Sequence, residues 1–137
     1  ATSENWNQCG ERTVHRGVDC AMRLFNGPLV QPEAVVCADD SIAFGVMVAF
    51  DALGIRVPED VLVVGYHDSA IARTTMPRLT SVRAPFERIV SECLRLLASG
   101  PAGGAAETTD ASGGNVRAPR VMLAPQLIVR DSSVFRR

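Results

Sequence analysis

The chain has 137 residues, 47% of them hydrophobic and 21% charged, with a net charge of −1. That length holds one domain or one lobe of a larger one, and the composition excludes a disordered chain, a collagen-like fibre and a coiled coil. Near-neutrality gives no electrostatic footprint for DNA or for an acidic membrane surface.

Residues 1–12 are polar and aperiodic apart from Trp6. Helical spacing begins near Thr13, with Val14, Val18, Ala21, Met22 and Phe25 on one face, and Asn26-Gly27-Pro28 stops it. Ala34-Val35-Val36-Cys37 is a short unalternating apolar run, the pattern of a strand buried on both faces. A second helix is predicted from about Ser41 to Leu53, with cap candidates in Asp39, Asp40 and Ser41 and a stop at Gly54. It has almost no polar face, so it must be covered on more than one side: one by the sheet, the other by a second subunit. The turn Val57-Pro58-Glu59-Asp60 leads into Val61 to Tyr66, a second buried strand, and strand–helix–strand in this order reads as a βαβ unit of a parallel sheet.

Leu79 to Arg83 is a short extended crossing, and Pro85 opens an amphipathic helix with Phe86, Ile89, Val90, Cys93, Leu94 and Leu97 on its apolar face. Ser99 to Arg120 is rich in small residues, lacks periodicity and, being longer than the usual limit of about 12–15 residues for a loop, reads as mobile. Val121–Leu123 and Gln126–Arg130 read as closing strands.

Several chemistries are excluded. All 14 basic residues are Arg, which removes a P-loop, a Schiff base and the strand-end lysine of phosphoacceptor receiver domains. There is no G-x-S-x-G, G-x-G-x-x-G or H-E-x-x-H, and no cofactor motif is visible. No apolar run reaches the roughly 18–20 residues of a membrane span, and no signal peptide is recognisable. Cys9, Cys20, Cys37 and Cys93 share no CxxC spacing, and with only His15 and His67 beside them neither a zinc site nor a disulfide framework is expected. Cys20, Cys37 and Cys93 read as small core residues, and a reducing cytoplasm is the default. Cys37, His67 and Asp68 include the residue types of a thiol hydrolase, but a cysteine inside an apolar strand is inert; no enzymatic activity is expected.

In a doubly wound sheet, ligands bind beyond the carboxyl ends of the strands. Two polar clusters fall there, Asp39-Asp40 and His67-Asp68. A carboxylate at such a point can accept from neighbouring hydroxyls of a sugar-like ligand, and an imidazole can donate or accept. The competing readings are a helix cap for Asp39 or Asp40 and a solvated loop residue for His67.

From Ala34 to Ser133 the sequence resembles the effector-binding core of the LacI/GalR family of bacterial transcription regulators. The match is carried in order by Ala34-Val35-Val36-Cys37-Ala38-Asp39-Asp40, Ala43 and Gly45, Ala52 to Val61, Val63-Val64-Gly65-Tyr66-His67-Asp68, Pro77, Leu79-Thr80-Ser81-Val82-Arg83 and Pro125 to Ser132, with Gly17 fitting less specifically. The resemblance implies an α/β, Rossmann-like three-layer lobe of a periplasmic-binding-protein-like fold. It also implies a chain that is only the C-terminal part of the regulator. Residues 1–82 would form the C-terminal lobe, 83–120 a crossing helix and flexible loop normally associated with the N-terminal lobe, and 121–137 the closing strands and tail; the DNA-binding headpiece would lie outside this chain. The crossing helix would then lack its usual cover.

The implied function is a sensor of a small, sugar-like metabolite that acts as a homodimer and binds operator DNA through the missing headpiece, with no membrane association. The alternative is a periplasmic solute-binding protein of a sugar transporter. The implied effector residues are Asp39, His67, Phe86 and Trp6, and the implied dimer contacts are Phe44, Met47 and Val48. Two effector positions depart from the family pattern: Asp39 stands where Asn is common, and His67 where Asp is usual. Ala84 replaces a common Gln.

Overall fold

The structure, a computed structural model, describes residues 12–27, 31–98, 108–109, 115–116 and 120–135. The chain runs through α1 (Val14–Asn26), β1 (Ala34–Val36), α2 (Asp40–Leu53), β2 (Leu62–Tyr66), α3 (Ala70–Thr74) and β3 (Thr80–Arg83). It continues through α4 (Phe86–Ala98), β4 (Thr108–Thr109), β5 (Asn115–Val116), β6 (Gln126–Ile128) and a 3-10 turn at Asp131–Ser133. These fall into two compact units that divide after Ala84 and before Gln126. The first holds α1 to β3 with β6 and the 3-10 turn, and the second holds α4, β4 and β5.

Local chemistry sets the helix ends of the first unit. The Thr13 hydroxyl accepts from the Arg16 amide at 3.3 Å to cap α1. Asp39 caps α2 by accepting from the Ser41 amide at 2.7 Å, and Gly54 ends that helix at φ 71°, a left-handed conformation that suits glycine. The strands lie in the order β1-β2-β3-β6, the first three parallel and β6 antiparallel to β3. This is the mostly parallel α/β architecture expected from the sequence. The apolar core joins Phe25 of α1 to Ala43, Val46, Ala49 and Phe50 of α2 and to Val63 and Leu79. Phe25 and Phe50 meet edge to face with ring centroids 4.6 Å apart.

α1 of the same chain covers one side of α2, and Met47 is only 7% exposed within this core, while Val48 is 43% exposed. Three expectations are corrected. β1 is an edge strand among the described residues, paired to β2 alone, and Val36 is 77% exposed. Val121–Leu123 forms no strand; only Gln126–Ile128 of the closing segments pairs with the sheet. Cys20 is disulfide-bonded instead of being a free core thiol. The short helix α3 had no counterpart in the sequence pattern. Most of the loop expected at 99–120 lies outside the described residues, within which β4 and β5 pair antiparallel.

The tail after β6 locks the sheet. Ser132, fully buried, donates from its hydroxyl to the Val63 carbonyl at 2.6 Å and accepts from the Thr80 amide at 2.8 Å. In the second unit, α4 has an apolar stripe of Phe86, Val90, Leu94 and Leu97, all of it exposed.

The α1–α2 contact depends on two glycines at the crossing. A Cβ on Gly17 would stand 2.2 Å from the Ile42 carbonyl oxygen, and one on Gly45 would stand 2.0 Å from that of Val14. Both obstacles are backbone, so the helices must separate to admit a methyl group. Gly45→Ala should therefore cost about 3 kcal/mol of stability, read as a lowered urea midpoint with an unchanged m-value.

Candidate functional site

The site is built on the carboxyl ends of β1 and β2. After Tyr66 the chain turns through His67 (φ 97°) and Asp68 (φ 52°), two consecutive non-glycine residues in the left-handed region. Three successive amides hold this turn. His67 N–H donates to the Val82 carbonyl at 2.8 Å, Asp68 N–H to Ser81 Oγ at 2.9 Å, and Ser69 N–H to Asp40 Oδ2 at 2.7 Å. Asp40 is 1% exposed and also accepts from Ser81 Oγ at 2.7 Å. Gly65 passes so close that a Cβ there would meet Asp40 Oδ1 at 2.3 Å. Asp40, one of the sequence candidates, is thus part of the frame that holds the turn.

Asp39 and His67 are brought together. His67 Nε2 lies 3.7 Å from Asp39 Oδ2, with the side chains 32% and 20% exposed. Asp39 is a helix cap, since Oδ1 accepts from the Ser41 amide, and its Oδ2 faces the imidazole. Tyr66 packs its ring edge to face with His67, centroids 4.7 Å apart. Phe86 belongs to the first turn of α4 in the second unit and is 53% exposed. Trp6 lies outside the described residues. Of the three expected dimer contacts, Met47 is buried in its own core, Phe44 is half-buried, and Val48 is 43% exposed.

The pattern gave no sign of what Asp68 does. Its carboxylate is fully buried and is met by three guanidiniums: Arg130 Nη2 at 2.5 Å, Arg83 through Nε at 2.8 Å and also through Nη2, and Arg73 Nη2 at 3.4 Å. Arg130 spends Nη1 on the Leu79 carbonyl at 2.8 Å. Burial acts to raise the Asp68 pKa, but the hydrogen bonds and charges of Arg130 and Arg83 outweigh it and hold the group below the ordinary carboxylate range. Burial, followed by the Asp40 charge, pushes the Cys37 thiol up to about 12, so no thiolate nucleophile is available there near neutral pH. Among the described residues no group of His, Cys, Asp and Glu side chains could hold a metal ion, and no helix is long and apolar enough to cross a membrane.

A depressed carboxylate pKa makes Asp68 a source of pH-dependent stability. Its contribution is complete above the unfolded value of about 3.9 and is lost as pH falls through the lower folded-state value. Asp68→Asn should lower stability by about 2 kcal/mol at pH 7, a figure reduced for the partial solvation of Arg73 and Arg83. The wild-type and Asn proteins should converge in urea midpoint as pH falls below the folded value.

The sequence matches the family model of the periplasmic binding protein-like domain over residues 2–133. It is 37% identical over 123 residues to the HTH-type transcriptional regulator CelR of Thermobifida fusca, a span of 90% of this chain and 33% of that protein. The solved transcriptional regulator CelR–cellobiose complex superposes with a TM-score of 0.69 at 35% identity, over 94% of this chain and 37% of that one. A lac repressor dimer bound to operator and the anti-inducer ONPF superposes with a TM-score of 0.66 at 26% identity, over 90% and 39% of the two chains. The chain spans about a third or less of the curated relatives it matches. These relatives are named as regulators and not as enzymes or transport proteins, which supports the regulator reading over a transporter's solute-binding protein. The mostly parallel sheet and these likenesses agree: the chain is similar to part of LacI-type transcriptional regulators, and it belongs to the periplasmic binding protein-like family.

Proposed function

We propose that this chain is the metabolite-sensing part of a DNA-binding regulator, and that its effector is a hydroxyl-rich small molecule held between Asp39 and His67. The observation that carries this reading is the partly exposed Asp39–His67 pair at the carboxyl ends of two parallel strands. Asp39 Oδ2 accepts from ligand hydroxyls, and the imidazole donates or accepts beside it. The Asp39 carboxylate already has a fixed orientation because its other oxygen caps α2. The cellobiose bound by CelR and the operator bound by the lac repressor support this pairing of sensor and switch.

In the whole protein, effector binding favours one arrangement of the lobes and so biases a dimeric headpiece on or off operator DNA. The headpiece belongs to residues outside this chain, and no cofactor or catalytic turnover is required. Residues 1–82 and the closing segment 121–137 form the C-terminal lobe, and 83–120 serves the N-terminal lobe. The protein works in the cytoplasm as a homodimer, through Val48 and Phe44 on the surface of α2, with Met47 backing them from the core.

Calorimetry of the whole protein against cellobiose, other sugars, nucleosides and small organic acids tests the reading. Asp39→Ser retains a helix cap but removes the carboxylate, and should weaken the bound compound about 10- to 100-fold with little change in stability. His67→Ala should do the same. Absence of binding by any of these compounds, together with absence of operator binding, would sink the proposal. For the dimer, Val48→Asp should shift sedimentation toward monomer, and a wild-type protein that is monomeric at high concentration would count against the interface.

A further inference from the structure

The second unit leaves the sheet after Ala84 and returns before Gln126. Arg83, the last residue of β3, is in register with Gln126, the first residue of β6. Arg83 bonds Asp68 directly, and Arg130, two residues beyond β6, bonds the other carboxylate oxygen. One buried side chain therefore joins the turn that carries His67 to the end of β3, where the excursion leaves, and to the segment that follows β6. That turn holds two adjacent non-glycine residues at positive φ, a conformation that costs about 1–3 kcal/mol per residue and persists only when surrounding contacts impose it. A single guanidinium would neutralise the carboxylate; here three converge from α3, the end of β3 and the segment after β6.

We propose that Asp68 is a positioning residue: its carboxylate fastens the ligand-facing turn at His67 to the end of β3, where the second unit leaves, and to the segment that follows β6. In naming that turn ligand-facing, the proposal rests on the sensor reading above. The consequence is mechanical. A displacement of His67 reaches the end of β3 and the segment after β6 through two short charge-assisted bonds, without passing through the apolar core.

Hydrogen exchange on the whole protein, with no ligand present, tests this. Asp68→Asn should accelerate exchange about tenfold in three segments, 67–69, 82–83 and 126–128, and should move the His67 ring resonances, while the β1–β2 pairing keeps its protection. Should Asp68→Asn fail to fold, Arg83→Gln removes one arm of the clamp and should accelerate the same three segments. Arg78→Ala, which breaks the more exposed Arg78–Asp131 pair, serves as a control and should leave 67–69 unchanged. Uniform acceleration across the sheet would reduce Asp68 to a source of global stability and overturn the proposal, as would no acceleration in those segments. A whole protein that binds none of the small molecules would remove the sensor reading while leaving this measured coupling intact, so the two failures are distinguishable.

Discussion

Asp40 is taken out of water at the first turn of α2, and a carboxylate in that position needs donors or it costs the fold several kcal/mol. It finds them in the turn after β2 and on β3, in the Ser69 amide and the Ser81 hydroxyl. Three segments distant in sequence converge on this one group: the start of α2, the turn after β2 and the middle of β3. Gly65 has to be glycine for the same reason, since a side chain on β2 would occupy the space of the carboxylate. The partly exposed groups Asp39 and His67 inherit their positions from this buried frame.

The polar groups at the sheet end have divided roles. Asp40 and Asp68 are occupied with serine and arginine donors, and Cys37 is buried with its thiol far from ionisation. Asp39 and His67 remain at the surface, an acceptor beside a ring that can donate or accept. Such a pair suits recognition of hydroxyl groups, with the strained turn keeping the imidazole near the carboxylate.

Much of this was legible in the sequence. The periodicity from Val14 to Phe25 gave α1, and Gly54 gave the end of α2. The rule that ligands sit beyond parallel strands singled out Asp39 and His67 before their proximity was known. What escaped depended on tertiary register. An apolar helix announces that it is covered without naming its cover, so the packing of α1 on α2 was not foreseen although the mid-helix glycines Gly17 and Gly45 were the sign of an intrachain contact. A short apolar run cannot say how many neighbours it has, so β1 was read as buried on both faces although Val36 is exposed. Five residues are too few to show a helical period, which hid α3. Arg83 and Arg130 meet Asp68 only because β3 and β6 run antiparallel in one particular register.

The glycine crossing of α1 and α2 has a consequence for how force moves through this unit. Most helix pairs meet through side chains that can change rotamer and absorb a small displacement. Here backbone faces backbone with no such cushion, so the two helices behave as a single stiff lever. Thr13 and Asp39 cap the two helices, so both caps are carried by the same stiff contact.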